Sequence, residues 1–241
     1  MKPDDGAAGL ADAGLPPGQY RTDGFPRFGV ALDRPPPEVP SDPVIEIAGA
    51  VTTPFPFLVA DLATLARREV TADFHCVAGW SATNLRWEGV TFETLYREFI
   101  EPSLPGDVSI SHVVFEGVDG YRSIVRIEDA LNDDVLIADR LDGAPLDGDH
   151  GAPVRLVSPS QYGFISTKHL CRIEVHASEP KARYHPSWRV RLALQALKPH
   201  QRARVWREER HRYIPAGIYR RMVSVLRSFL PALPPRSANR R

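Results

Sequence analysis

Asp73-Phe74-His75-Cys76-Val77-Ala78-Gly79-Trp80 closes a β-patterned run that begins at Val70, and the rest of the chain is read outward from it. The run is rich in β-branched and aromatic residues and stops at a glycine, the signature of a strand and its turn. A cysteine followed by Gly-Trp at a strand end sits where backbone can approach a ligand closely. His75 and nearby arginines can hold Cys76 as thiolate, the form that binds metals. On composition alone the plainer reading is a buried, inert cysteine. Cys171, in Lys168-His169-Leu170-Cys171-Arg172, reads the same way, and neither cysteine has the CxxC spacing of a zinc or redox site.

Similar short runs lie on either side: Val44–Ile47, Val108–Phe115, Tyr121–Ile127, Val135–Ala138, Pro153–Val157 and His169–Val175. Each is bounded by Gly, Pro or Asp. Phe92, Leu95, Tyr96 and Phe99 fall at helical spacing behind Thr91 at the N-cap position, with Glu93 in the first turn. Val59–Arg68 and Ile218–Leu230 carry two further helical stripes. These elements predict an α+β body over 44–180. An extended, proline-rich arm precedes it at 1–43, and a basic, mostly helical extension follows at 181–241.

The whole chain balances 30 Lys+Arg against 30 Asp+Glu, yet 181–241 holds 16 Lys+Arg and only two acids, Glu208 and Glu209. An acidic body with a basic tail suggests a tail that lies on its own body or meets an anionic partner. At 43% hydrophobic over 241 residues the chain has ample core, which excludes wholesale disorder. Two cysteines exclude a disulfide scaffold. No apolar run reaches 18 residues, so no transmembrane segment is expected. The first twenty residues lack the pattern of an export signal, so the expected location is cytoplasmic.

Two other stretches offer anion donors. In His150-Gly151-Ala152-Pro153-Val154-Arg155-Leu156-Val157, a His and an Arg flank the entry to a strand. Arg155 is either a snorkelling surface residue or a clamp for phosphate. Tyr162-Gly163-Phe164-Ile165-Ser166-Thr167-Lys168 supplies backbone N–H, hydroxyl and ammonium donors, without the order of a nucleotide P-loop. The absence of HExxH, GxSxG and GxGxxG removes zinc-hydrolase, serine-hydrolase and Rossmann readings.

Taken in order, Phe74 to Ser81, Trp87-Glu88-Gly89-Val90, Asp119-Gly120-Tyr121, His150 to Pro159, and Tyr162-Gly163-Phe164 with Ser166 and Lys168 resemble the sulfite-oxidase-like molybdopterin domain. The resemblance runs from about Phe25 to Val175. It implies a mixed α+β fold of irregular β-sheets with short helices, and a molybdenum cofactor whose metal takes Cys76 as thiolate ligand. It further implies that His150 contacts the pterin, that Arg155 pairs with the cofactor phosphate, and that Ser166, Thr167 and Lys168 form the phosphate and pterin cradle. Pro26 and Arg27, in Phe25-Pro26-Arg27-Phe28-Gly29, match a segment lying over the pterin. Tyr121 is either a hydrogen-bond donor to the open side of the metal or a packed side chain. His75 is either a cofactor contact or a packing residue.

The implied function is a molybdopterin-dependent oxidoreductase that moves an oxygen atom to or from a small-molecule substrate and exchanges electrons with an external redox partner protein. No nucleic acid is expected as partner. The sequence departs from sulfite oxidases in having Ser81 where they carry a substrate-binding arginine, so the expected substrate is not sulfite. It also differs in having a basic, helical-looking tail where they carry an immunoglobulin-like domain. The competing function is a non-catalytic cofactor-binding or scaffold protein whose basic tail binds an anionic partner.

Overall fold

Two sheets share one apolar core in the computed structural model, which describes residues 14–28, 34–181 and 198–226, the last four without side chains. Expectations for Gly29 and for the part of the Ile218–Leu230 helix beyond residue 226 lie outside the described residues.

The first sheet is built on the longest strand, β5 (Trp80–Thr91). One edge of β5 pairs antiparallel with β4 (Arg67–His75). Its other edge takes β1 (Tyr20–Arg21) in parallel at its start and β8 (Leu136–Leu141) antiparallel at its end. Two short strands, β9 (Ala144–Pro145) and β10 (Arg155–Val157), extend β8. The second sheet has the order β3-β2-β11-β6-β7. These are β3 (Phe55–Leu58), β2 (Val44–Gly49), β11 (Leu170–His176), β6 (His112–Gly117) and β7 (Arg122–Arg126); only β2 and β11 run parallel.

Strand alternation sorts side chains between two cores. Ile137 of β8 and Leu156 of β10 face the core between the sheets with Ile47, Phe115 and Ile173. Their neighbours Leu136, Ala138 and Val157 face outward into a second cluster with Tyr20, Cys76, Trp80 and Trp87. Phe25 and Phe28 of the arm pack over this second cluster. The arm thus adds a strand and covers the face that carries Cys76.

The helices are short. α1 (Phe92–Leu95) starts where Thr91 accepts the Thr94 N–H at 3.1 Å, as the N-cap spacing predicts, and continues as a π-helical turn, Tyr96–Ile100. α2 is Ile127–Ala130. The helix expected over Val59–Arg68 is instead a 3-10 turn, Val59–Thr64, because Arg67 onward is recruited into β4. Val108–Ser111 stays outside β6, so that strand begins later than expected. In the described part of the C-terminal segment, 198–215 is turns and bridges and α3 (Ala216–Leu226) is the one helix. No helix among the described residues is long and apolar enough to cross a membrane.

The described part of the basic segment is tied to the body by two arginines: Arg202 forks onto Asp129, with Nε to Oδ2 at 2.8 Å, and Arg212 pairs with Glu179, while Arg204 pairs within the segment with Glu209.

Candidate functional site

Cys76 follows β4 in a tight turn. Its N–H donates to the Trp80 carbonyl at 2.8 Å, and its carbonyl accepts from Gly79 N at 2.9 Å. Gly79 has φ of +93°, a conformation that favours glycine. From the arm, Gln19 Nε2 donates to the same Cys76 carbonyl at 3.1 Å. Burial pushes the Cys76 thiol up to about 12, against a hydrogen bond from the Ala78 backbone and the charges of Arg210 and Lys168, which favour the thiolate.

His75 and Ser81 lock this turn. The Gln19 amide is oriented by its donation to Cys76, so its Oε1 faces Ser81 and accepts the Ser81 hydroxyl at 3.2 Å. Ser81 has one proton, so its 2.8 Å bond to His75 Nδ1 is a donation from the imidazole. Burial, opposed by Asp73 and assisted by Arg210, lowers the His75 pKa and favours the neutral ring. Behind it, Gly163 N donates to the His75 carbonyl at 2.8 Å.

Arg155 stands on the outward face of β10. Its guanidinium is fully buried, lies 5.2–5.8 Å from the ring centroids of Trp87, Phe74 and Phe25, and donates to the carbonyls of His150 (2.9 Å) and Ser166 (3.0 Å). Among the described residues no carboxylate forms an ion pair with it. Desolvated cation–π contacts contribute about 2 kcal/mol each. Burying a cation costs several kcal/mol even after relaxation. Burial accordingly brings the pKa of Arg155 down to about 9. Lys168 Nζ donates to Asp149 O at 2.6 Å; burial first, then the charges of Arg155 and Arg27, lower its pKa to about 8. Arg27 contacts Asp149 at 3.3 Å. Three cations therefore converge on one face, answered mainly by Asp149. Gly151, at φ +108°, permits the approach, because a Cβ there would lie 3.0 Å from Lys168 Cβ and 3.2 Å from Arg155 Cβ.

His150 bonds Asp147 through Nδ1 and the Phe25 carbonyl through Nε2, both at 2.8 Å, and stacks on the Phe25 ring. This pins the arm, with Pro26 and Arg27, over the cation cluster. Ser166 reaches the cluster through its carbonyl, while its hydroxyl accepts from Ser158 N. The Thr167 hydroxyl turns the other way, to Ser123 at 2.8 Å and towards Phe115 O, and is not presented to Arg155 and Lys168. Tyr121 donates to the Phe164 carbonyl at 2.6 Å. Burial, Asp119 and the Cys76 sulfur all raise its pKa, so the phenol stays protonated within electrostatic reach of Cys76.

Sequence reasoning missed Gln19, the aromatic walls Phe25 and Trp87 around Arg155, and Arg210. Trp87 and Phe25 carried a local signal, each lying inside a stretch singled out above; Gln19 and Arg210 carried none. Among the described residues the Trp80 indole N–H, buried between Phe28 and Phe74, has no acceptor.

A family model described as "Oxidoreductase molybdopterin binding domain" matches residues 34–184. The chain is 29% identical over 160 residues to the uncharacterized oxidoreductase YuiH of Bacillus subtilis, covering 66% of this chain and 78% of that one. It is 33% identical over 132 residues to the protein-methionine-sulfoxide reductase catalytic subunit MsrP of Xanthomonas axonopodis pv. citri, covering 50% of this chain and 40% of that one. Among solved structures, the sulfane dehydrogenase SoxCD of Paracoccus pantotrophus superposes with a TM-score of 0.51 at 23% identity, over 58% of this chain and 40% of that one. The likeness to SoxCD is one of fold. The chain spans less than half the length of the MsrP relative it matches.

Proposed function

The chain belongs to the oxidoreductase molybdopterin-binding domain family, and on that footing we propose that it is a molybdenum-dependent oxidoreductase with Cys76 as the chain's ligand to the metal. The cofactor of this family is molybdopterin with its molybdenum. The residues present fit that group. Cys76 is a soft sulfur donor at the head of a rigid turn. Arg155 is a buried cation and Lys168 a half-buried one, and burial lowers the pKa of both, a cost that a bound phosphate would offset. The unpartnered Trp80 N–H is a further donor on the same face. The observation that carries the reading is this convergence of the Cys76 thiol with Lys168 and with Arg155, a buried cation that has no carboxylate partner among the described residues.

When bound, the cofactor supplies the two-electron chemistry by which an oxygen atom passes to or from a small substrate. Arg155, Lys168 and Arg27 hold the phosphate end, with Ser166 contributing through the loop that orients Arg155. His150 and Pro26 contact the pterin from the arm side. Tyr121 spends its phenolic proton on the Phe164 carbonyl and so holds the Tyr162–Lys168 loop on the side of Cys76. His75 orients the turn through Ser81. An external redox protein exchanges the electrons. Ser81 is fully buried and spends its hydroxyl on His75 and Gln19, so it offers nothing to an anionic substrate. The reading therefore favours an uncharged substrate over sulfite. The MsrP relative makes organic sulfoxides the first class to screen.

The test is metal analysis and a visible spectrum of protein made in a molybdopterin-competent host. We expect about one molybdenum per chain and a thiolate-to-metal band that Cys76→Ala abolishes while the circular dichroism is kept. Molybdenum and band retained in Cys76→Ala would reject the ligand assignment.

A further inference from the structure

Arg210 lies beyond residue 184, where the family match ends, yet it reaches the centre of the site. Its side chain is fully buried. Nε lies 2.8 Å from both Tyr162 Oη and Glu208 Oε1, and the guanidinium sits 4.9 Å from the Tyr162 ring centroid. One terminal nitrogen donates to Val77 O at 3.4 Å and the other to Pro17 O at 3.3 Å. Val77, Pro17 and Tyr162 each lie within two residues of a group that fixes Cys76 or its neighbour. Val77 is the next residue in the Cys76–Gly79 turn. Pro17 lies beside Gln19, which donates to the Cys76 carbonyl. Tyr162 precedes Gly163, which donates to the His75 carbonyl. Gly18, beside this fork, has φ of +78°, a backbone conformation that favours glycine.

We propose that Arg210 is a positioning residue for the Cys76 site, clamping the Cys76–Gly79 turn to the N-terminal arm and to the Tyr162 loop, so that the C-terminal segment is a working part of the site. The planar fork is what the role requires. A lysine keeps the charge opposite Glu208 but cannot span Val77, Pro17 and Tyr162 together. The functional importance of the turn rests on the reading of Cys76 as metal ligand; the clamp itself does not.

The test uses the cofactor-free full chain and iodoacetamide, with alkylation of Cys76 and Cys171 followed separately by mass spectrometry. Loss of the fork opens the turn locally, so Cys76 is expected to react roughly tenfold faster in Arg210→Met, with Cys171 unchanged as internal control. Arg210→Lys, which preserves the ion pair and is the variant that decides if Arg210→Met does not fold, is expected to react at least about fivefold faster than wild type. Wild-type protection of Cys76 in Arg210→Lys, or equal acceleration at both cysteines, would overturn the clamp. In the molybdenum-loaded full chain the same variant is expected to shift the thiolate-to-metal band, and an unmoved band counts against the proposal. Absence of molybdenum from loaded wild type would instead reject the reading of Cys76 as ligand, and the alkylation result would still decide the clamp.

Discussion

Lys168 is the residue whose chemistry can be read most directly in solution. Its folded-state pKa of about 8 lies below its ordinary 10.5, because burial and the neighbouring arginines oppose its charge. Between those values the unfolded chain binds the extra proton, so the cofactor-free protein gains stability as pH rises through that window. Below about pH 8 the lysine is charged in both states and its burial is a standing cost. Lys168→Met removes that cost. Its advantage over wild type is expected to shrink by about 1–3 kcal/mol between pH 7.5 and pH 10, read from denaturant unfolding. A pH-independent difference would show that Lys168 is not desolvated as described. Bound phosphate or cofactor should raise the lysine's pKa and suppress the effect, since an anion favours the charged form.

Individual elements show what was legible in the sequence. Thr91 was visible as an N-cap because its signal is local: a hydroxyl three residues before the N–H it receives. Thr91→Ala is expected to cost about 1 kcal/mol of stability in denaturant melts. The strands around Cys76 and Arg155 were visible because both end at glycine or proline. β5 does not stand out as a strand in the sequence, although it is the axis of the first sheet. Its Ser81-Ala82-Thr83-Asn84 stretch lacks plain alternation because Asn84, at φ +59°, sits opposite a register shift in β4 between Ala72 and Phe74. That irregularity accompanies the turn of Phe74 towards Arg155, so what hid the strand also shapes the site. Gly163 shows the same limit. The sequence marked its stretch as a source of anion donors, but Gly163 itself serves a contact, since a Cβ there would fall 2.2 Å from the Phe74 ring. Gly163→Ala is expected to destabilise the protein by about 1–3 kcal/mol and to loosen cofactor retention, measured by thermal melts and molybdenum content. The Val59–Arg68 helix failed for the opposite reason: a helical stripe was overridden by the demand of β5 for a partner.

Across the whole molecule, part of the charge asymmetry is answered internally: among the described residues, Arg202 and Arg212 pair with Asp129 and Glu179 of the body. Arg202 brings a bidentate cation to Asp129, which is 4% exposed, and this ties the C-terminal segment to the end of β7 through α2. Arg202→Ala strands that carboxylate. The expected loss is about 1–3 kcal/mol, with faster proteolytic cleavage around 198–213 and little response to salt. Cleavage at the wild-type rate would mean that the segment is held by other contacts. No sequence pattern could pair residues 129 and 202, or 17 and 210, because such contacts belong to the folded surface and not to any local period.

The parallel pairing of β2 with β11 has a consequence in time. Glu46 and Arg172, which pair across those strands, are 126 residues apart. At about 5–20 residues per second, the ribosome takes roughly 6–25 s to deliver the second strand after the first. For that interval β2 can pair only with β3 beside it, and its other edge is an open template. The cell must keep that edge from finding a stranger before its own partner is made.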